Sequence, residues 1–262
     1  MAAPKRIQPH DLLLAIGGSE ERLQMVLGQP GPDGCTLLVS RQWTVPGQSI
    51  KFLIPGLQQT LASFDIGMET ISRIACVRGP GSFTGLRLIL AAAEGLAAGY
   101  GLPLAGLDYL PLLASGPAPL LTGPIHVLTY ARRGLVYTQS FEAPGLTELA
   151  PLESCSLPEA AKRIQELGDT AFIMGSGVKK NPEFFADLIA SCPGYTLLDR
   201  HWDNPTPETL LTCADTAFFS QESIDPVYVR PTDAEDNLEA IARKRGLDPV
   251  ETKKKLEALR KK

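Results

Sequence analysis

The sequence predicts an α/β fold in two lobes, and three observations predict it. An apolar strand, a Gly-rich turn, a long apolar helix and a second strand follow one another between Ile71 and Leu107. That order implies a right-handed parallel crossover. Ahead of it, short apolar runs from Leu12 to Val39 are broken by turn residues and read as an antiparallel meander. Behind it, after the Pro- and Gly-rich stretch Ser115–Pro124, strands and helices alternate again.

Residues 1–10 read as a loose leader. Leu12–Ile16 is a buried strand ended by Gly17-Gly18, and Arg22–Leu27 is its partner. Gly31-Pro32-Asp33-Gly34 marks a turn into a third strand beginning at Cys35. Between about Gln48 and Ala62, Leu53, Leu57 and Leu61 recur every four residues, the spacing of one helical face. Pro55 lies inside that run and, lacking an amide hydrogen, predicts a kink or a later helix start. Ile71–Val77 is a short apolar strand.

The most distinctive segment is Arg78-Gly79-Pro80-Gly81-Ser82-Phe83-Thr84-Gly85-Leu86-Arg87. Ser82 predicts the N-cap of a helix to about Ala98, ended by Gly99 or Gly101. That helix is Leu, Ile and Ala nearly all round, which predicts cover on both faces. Leu102–Leu107 returns as a strand.

Small residues before a helix N-terminus let backbone amides approach an anion. The spacing nevertheless matches neither Gly-x-Gly-x-x-Gly nor a P-loop, and Ser82 lacks the flanking glycines of a nucleophile elbow. Two readings stay open: a tight strand-to-helix turn, or a contact with a ligand or partner.

In the second half, Ile125–Thr129, Leu135–Phe141 and Ala171–Met174 read as strands. Pro158–Leu167, Pro182–Ala190 and Pro207–Phe219 read as helices. From Asp233 the chain is charged and helix-prone, with Leu238, Ile241, Val250 and Leu256 marking two short amphipathic helices and Lys253–Lys255 and Arg260–Lys262 basic. The expected division is therefore a leader at 1–10, a first lobe at 11–114, a second at 115–232 and a helical tail at 233–262. No sequence repeat is apparent.

The bulk composition narrows function. The 262 residues are 44% hydrophobic and carry a formal net charge of −4, enough for a sizeable core and the wrong sign for gripping a nucleic-acid backbone unaided. Five scattered cysteines without a Cys-x-x-Cys pair argue against a disulfide framework or zinc site and fit a reducing compartment. His10, His126 and His201 lie far apart without metal-ligand spacing, and no Asp/Glu pair stands out as acid and base. Glu20-Glu21 reads as solvated. Leu12–Ile16 is strand-sized, so neither a signal peptide nor a membrane span is expected.

The segment 78–87, with the Ala-rich helix and Gly95-Leu96-Ala97 behind it, resembles the signature of the TsaB (YeaZ) family. Leu13–Ile16, Leu53-Ile54-Pro55, Ala131–Tyr137 and Pro226–Pro231 resemble further family segments, in order. The resemblance implies the two-lobed fold of actin, Hsp70 and sugar kinases, with ribonuclease H-like lobes and a degenerate nucleotide site. It implies a non-catalytic cytoplasmic subunit that binds and activates the catalytic TsaD in forming N6-threonylcarbamoyladenosine on tRNA. A small ATPase, TsaE, joins the assembly, and the chain alone forms a homodimer.

On this reading tRNA is met indirectly or weakly, no cofactor is bound tightly, and ATP or ADP with magnesium enters only through the assembled complex. The resemblance places the partner interface on the two helices of the first lobe, with Leu53, Leu57, Leu61, Leu86 and Leu90. Gly79, Pro80, Gly81, Ser82, Phe83, Thr84, Gly85 and Arg87 form the turn or partner motif.

Departures accompany the resemblance. Gly17-Gly18-Ser19 stands where the family has Asp-Thr-Ser, and Tyr130 where it has Asp. Ser49 replaces an early helix His and Leu135 a Glu. Carboxylates are the usual protein ligands of magnesium, so their loss argues against independent ATP hydrolysis. Three alternatives remain in view: a metal-dependent glycoprotease-like peptidase, a tRNA-binding module using the basic tail, and a diverged protein-binding module.

Overall fold

The computed structural model describes residues 11–229, 242, 243 and 248. One compact unit runs through Val227 and a second begins at Tyr228. The amphipathic and basic features expected at 233–262 lie outside the described residues, apart from Ala242 and Arg243 in a helical turn and Asp248.

Two five-stranded sheets organise the first unit. The first contains β1 (Leu12–Gly17), β2 (Arg22–Gln29), β3 (Thr36–Thr44), β4 (Ile71–Gly79) and β5 (Leu104–Asp108) in the order β3-β2-β1-β4-β5. β1 to β3 form the expected antiparallel meander, while β4 lies parallel to β1 and to β5. Leu14 stands opposite Leu27 on one side and Ile74 on the other.

The second sheet contains β6 (Gly123–Arg132), β7 (Leu135–Ala143), β8 (Thr147–Ser156), β9 (Ala171–Met174) and β10 (Tyr195–Leu197) in the order β10-β9-β6-β7-β8. Its antiparallel and parallel pairings fall in the same sequence as those of the first sheet. The fold therefore repeats one topology twice, although no residue-level repeat is visible. Strand order depends only on apolar patterning and turn placement, which many sequences satisfy.

In the first sheet, α1 (Ser49–Ser63) and α2 (Phe83–Tyr100) pack against each other and against the sheet. Leu53, Leu57 and Leu61 of α1 and Leu86, Ile89 and Leu90 of α2 join Leu12, Leu14 and Ile16 in one core. Each such side chain contributes roughly 1.5–3 kcal/mol on burial. In the second, α4 (Leu157–Glu166) and α6 (Pro182–Ser191) bring Ile164 and Phe185 onto Leu128, Val136 and Ile173.

α3 (Tyr109–Ser115) packs against strands of both sheets. α7 (Pro207–Asp215) crosses back to β1 and β2, where Leu210 lies against Gly17, Leu211 against Gly28, and Asp215 pairs with Arg73 of β4 at 2.6 Å. α5 (Ser176–Lys180) follows β9 directly.

Several expectations need correction. α1 begins at Ser49 and runs through Pro55. Pro55 and Lys51, the residue whose carbonyl loses its helical partner, are both exposed, so that carbonyl is open to solvent. α2 is not covered on both faces, since Leu88 is 41% exposed and Ala91, Gly95 and Ala98 face outward with it. β8 passed unnoticed because Pro151 and two glutamates, Glu148 and Glu153, mask an edge strand, the position where such residues are tolerated. Helix α7 stops at Asp215 rather than Phe219.

Candidate functional site

The carboxyl ends of β1, β4, β5, β6 and β9 bring five turns together, the place where open α/β sheets hold ligands. The turn after β1 supplies Gly18, Ser19, Glu20 and Glu21. The turn after β4 supplies Gly79–Ser82. Tyr109 starts α3, Tyr130 lies near the end of β6, and Gly175-Ser176 links β9 to α5.

The Gly-rich turn is shaped by close approach. Gly79 has φ +108°, and its peptide bond to Pro80 is cis. A Cβ on Gly81 would overlap the carbonyl oxygen of Ser19. That oxygen accepts a hydrogen bond from the Ser82 N–H at 2.8 Å. Ser82 occupies the N-cap position of α2 as expected, but its side chain makes no capping bond. Beneath the turn, the Arg78 guanidinium forks onto Asp108, with Nε–Oδ1 at 2.7 Å and Nη2–Oδ2 at 3.3 Å. This contact raises the Arg78 pKa above its ordinary value. The Val227 N–H donates to the Arg78 carbonyl at 2.8 Å, which ties the end of the unit to the motif. Arg87 lies over the Phe83 ring, 4.0 Å from its centroid, on the exposed side of α2 with Thr84. Gly85 packs against the Ser82 side chain.

The other side of the crevice is acidic. Glu20 is not a solvated carboxylate, contrary to expectation. Its Oε1 accepts from the Ser176 hydroxyl and its Oε2 from the Tyr109 hydroxyl at 2.9 Å. Burial pushes its pKa up, and the nearby charges of Asp203 and Glu21 push the same way, against the two hydrogen bonds. Tyr109 is pushed well above its usual range, first by burial and then by Glu20. Asp203, also raised by burial, accepts the Gly175 N–H. Glu21 pairs with Lys180 at 3.0 Å. The turn positions of Ser19 and Tyr130 were legible as departures from the family pattern. The roles of Glu20, Tyr109, Ser176 and Asp203 were not, because distant segments bring them together.

An actin-like fold raises the question of a magnesium nucleotide here, and the residues do not fit one. The Gly175 N–H, the Ser176 hydroxyl and the Ser82 N–H already meet acceptors of the same chain. Among the described residues no three His, Cys, Asp or Glu side chains are grouped to hold a metal. Thiol nucleophiles are not on offer at Cys35 or Cys76 either, since burial pushes these thiols up to about 11 and about 12.

The leucines expected at a partner interface are core instead. Leu53, Leu57, Leu61, Leu86 and Leu90 are all at most 5% exposed. The sheet takes the most apolar stripe of each helix. The outward stripe of α2 is Thr84, Leu88, Ala91, Gly95 and Ala98, spaced alternately four and three residues apart.

The duplicated sheets, with the turns at their strand ends brought together, define a two-lobed α/β protein. The chain is similar to proteins named TsaB and to YeaZ structures. It is 29% identical over 195 residues to the tRNA threonylcarbamoyladenosine biosynthesis protein TsaB of Escherichia coli, covering 71% of this chain and 82% of the relative. It is 25% identical over 191 residues to the TsaB of Bacillus subtilis, covering 70% and 80%. Residues 48–163 match the family described as TsaD: tRNA N6-adenosine threonylcarbamoyltransferase. Among solved structures, YeaZ from Pseudomonas aeruginosa shares the fold with a TM-score of 0.60 and 22% identity, covering 83% of this chain and 99% of that one. A Pseudomonas aeruginosa protein with similarity to peptidase YeaZ superposes with a TM-score of 0.62 at 22% identity, covering 84% and 100%.

Proposed function

We propose that this chain is a TsaB-type partner subunit in the biosynthesis of threonylcarbamoyladenosine on tRNA. It works in the cytoplasm, binds a TsaD protein and activates it without doing the chemistry itself. The named relatives support the pathway. The exposed apolar stripe of α2 supports the subunit role, because Leu88, Ala91, Gly95 and Ala98 form a row of uncharged, mostly small residues, with the exposed Arg87 at its edge. Small side chains let a facing helix approach closely, and a buried apolar centre is what a stable interface needs.

In this reading the same face pairs two copies when TsaD is absent. TsaE joins the assembly, ATP or ADP with magnesium is handled by those partners, and tRNA is met indirectly or weakly. Among the described residues no helix is long and apolar enough to cross a membrane. The peptidase reading gains no support from the donor groups found, and the basic tail proposed for tRNA lies outside the described residues.

Co-purification with the TsaD of the same organism, followed by a tRNA modification assay with and without this chain, tests the proposal. Association together with modification that depends on this chain is the expected result. Failure to associate at micromolar concentration, with modification indifferent to its presence, would overturn it.

A further inference from the structure

The crevice contains a set of hydrogen bonds that the partner-subunit role does not use. Ser176 stands at the start of α5, in the second lobe. Its Oγ accepts the Tyr130 N–H at 2.9 Å and its hydroxyl hydrogen goes to Glu20, so its single donor is engaged. Glu20 belongs to the turn between β1 and β2, in the first lobe, and its second oxygen is held by Tyr109 of α3. The next residue, Glu21, reaches Lys180 at the far end of α5. The preceding one, Ser19, takes the Ser82 N–H at the start of α2. Three consecutive residues thus tie one turn to α2, to α3 and to both ends of α5.

We propose that the turn Gly18–Glu21 is an internal latch. The Glu20 carboxyl sits in the crevice as a built-in acid, engages the Ser176 donor that a phosphate would need, and holds the two lobes together without any ligand. Asp203 does the same for the Gly175 N–H from the other side. Gly175 itself, at φ +107° and packed on the Leu128 carbonyl, admits no side chain, so the turn cannot readily be remodelled around a different occupant.

The charges facing Glu20 are Glu21 on its own turn, Asp203 after β10, and Lys180 of α5, which is paired with Glu21. No cation is bonded to the Glu20 carboxyl among the described residues. Both protonation states therefore exclude a phosphate: the carboxylate repels it, and the acid still fills its volume. The closed crevice becomes a permanent feature of this chain, and the lobes present their outer helices as one rigid body. This inference is independent of the identity of the partner.

Amide hydrogen exchange on the full chain tests it, with Glu20→Ala and Ser176→Ala removing the latch from opposite sides. Loss of a hydrogen bond to a charged or polar group of this kind is expected to raise local opening by about tenfold or more. Both variants should show that rise in residues 18–22 and 175–180, while β1 and β6 keep wild-type protection. Unchanged exchange in those two segments, or a uniform rise that includes β1 and β6 in both variants, would overturn the latch. Added magnesium ATP that slowed exchange in these segments of the wild-type chain would overturn it as well, since the crevice would then accept the anion it is argued to exclude.

Discussion

The backbone N–H of Ser82 donates to the carbonyl oxygen of Ser19 across 2.8 Å, and Gly81 makes this approach possible because it has no Cβ. The bond joins the β4–α2 turn to the turn that follows β1. The neighbouring pair Glu20–Ser176 then carries the connection into the second lobe.

Gly81→Ala should therefore destabilise the protein by about 1–3 kcal/mol, the usual cost of overpacking a fixed backbone contact. Urea unfolding measures it. Ser82→Ala should cost no more than about 0.5 kcal/mol, as for a surface position without a special contact, because its hydroxyl makes no capping bond. A shared large loss for both would mean that the hydroxyl matters in solution.

Ser156 offers the opposite case. It caps α4 in a reciprocal box with Glu159, whose carboxylate accepts from both the N–H and the hydroxyl of Ser156. Ser156→Ala should cost about 1 kcal/mol, seen as a lower urea midpoint with an unchanged slope.

On the two helices of the first lobe, aspartate at two leucines should have opposite effects. Leu57 is 3% exposed in the core, so Leu57→Asp buries an unpaired carboxylate and should unfold the chain. Leu88 lies on the outward stripe, so Leu88→Asp should leave thermal unfolding within a few degrees while abolishing association with TsaD. Circular dichroism and co-purification read the two outcomes. If Leu88→Asp still binds TsaD at wild-type affinity, the interface lies elsewhere.

His126 sets an acid limit. It is fully buried on β6, its Nδ1 is 2.7 Å from the Ser140 hydroxyl, and its Nε2 has no hydrogen-bond partner among the described residues. Burial lowers its pKa from 6.5 to about 4. Between those values the unfolded chain binds the extra proton, so the stabilising contribution is complete above about pH 6.5 and is lost as pH falls toward 4. The slope is up to about 1.4 kcal/mol per pH unit, or roughly 3 kcal/mol across the window. Unfolding free energies of wild type and His126→Gln, measured from pH 7 to 4, should converge by that amount. Parallel curves would show that His126 is not buried neutral.

Much of the architecture was legible residue by residue. The four-residue spacing of Leu53, Leu57 and Leu61 located α1, and Gly101, left-handed at φ +67°, ended α2 where a glycine was expected. The motif at 78–87 carried the family resemblance, which the relatives support. Local features of this kind are written into neighbouring residues, because helical period, turn chemistry and capping act over a few positions.

Tertiary structure decided what the same residues face. Spacing alone marks Leu57 and Leu88 equally as apolar helix positions, and only the packing of the sheet buries one and exposes the other. Glu20 and Ser176 are 156 residues apart, so no window of sequence contains their hydrogen bond. The duplicated sheet order likewise has no residue-level trace. The sequence by itself determined most of the longer elements, the α/β class and the signature turn, while β8, β10, α3 and α5 left no clear trace in it. The assembled fold determined that the turns meet, that the acids of one lobe engage the donors of the other, and that α2 keeps an apolar face outside. The physical reason is that patterning specifies which side of an element avoids water, while the partner that supplies the cover is chosen by long-range packing.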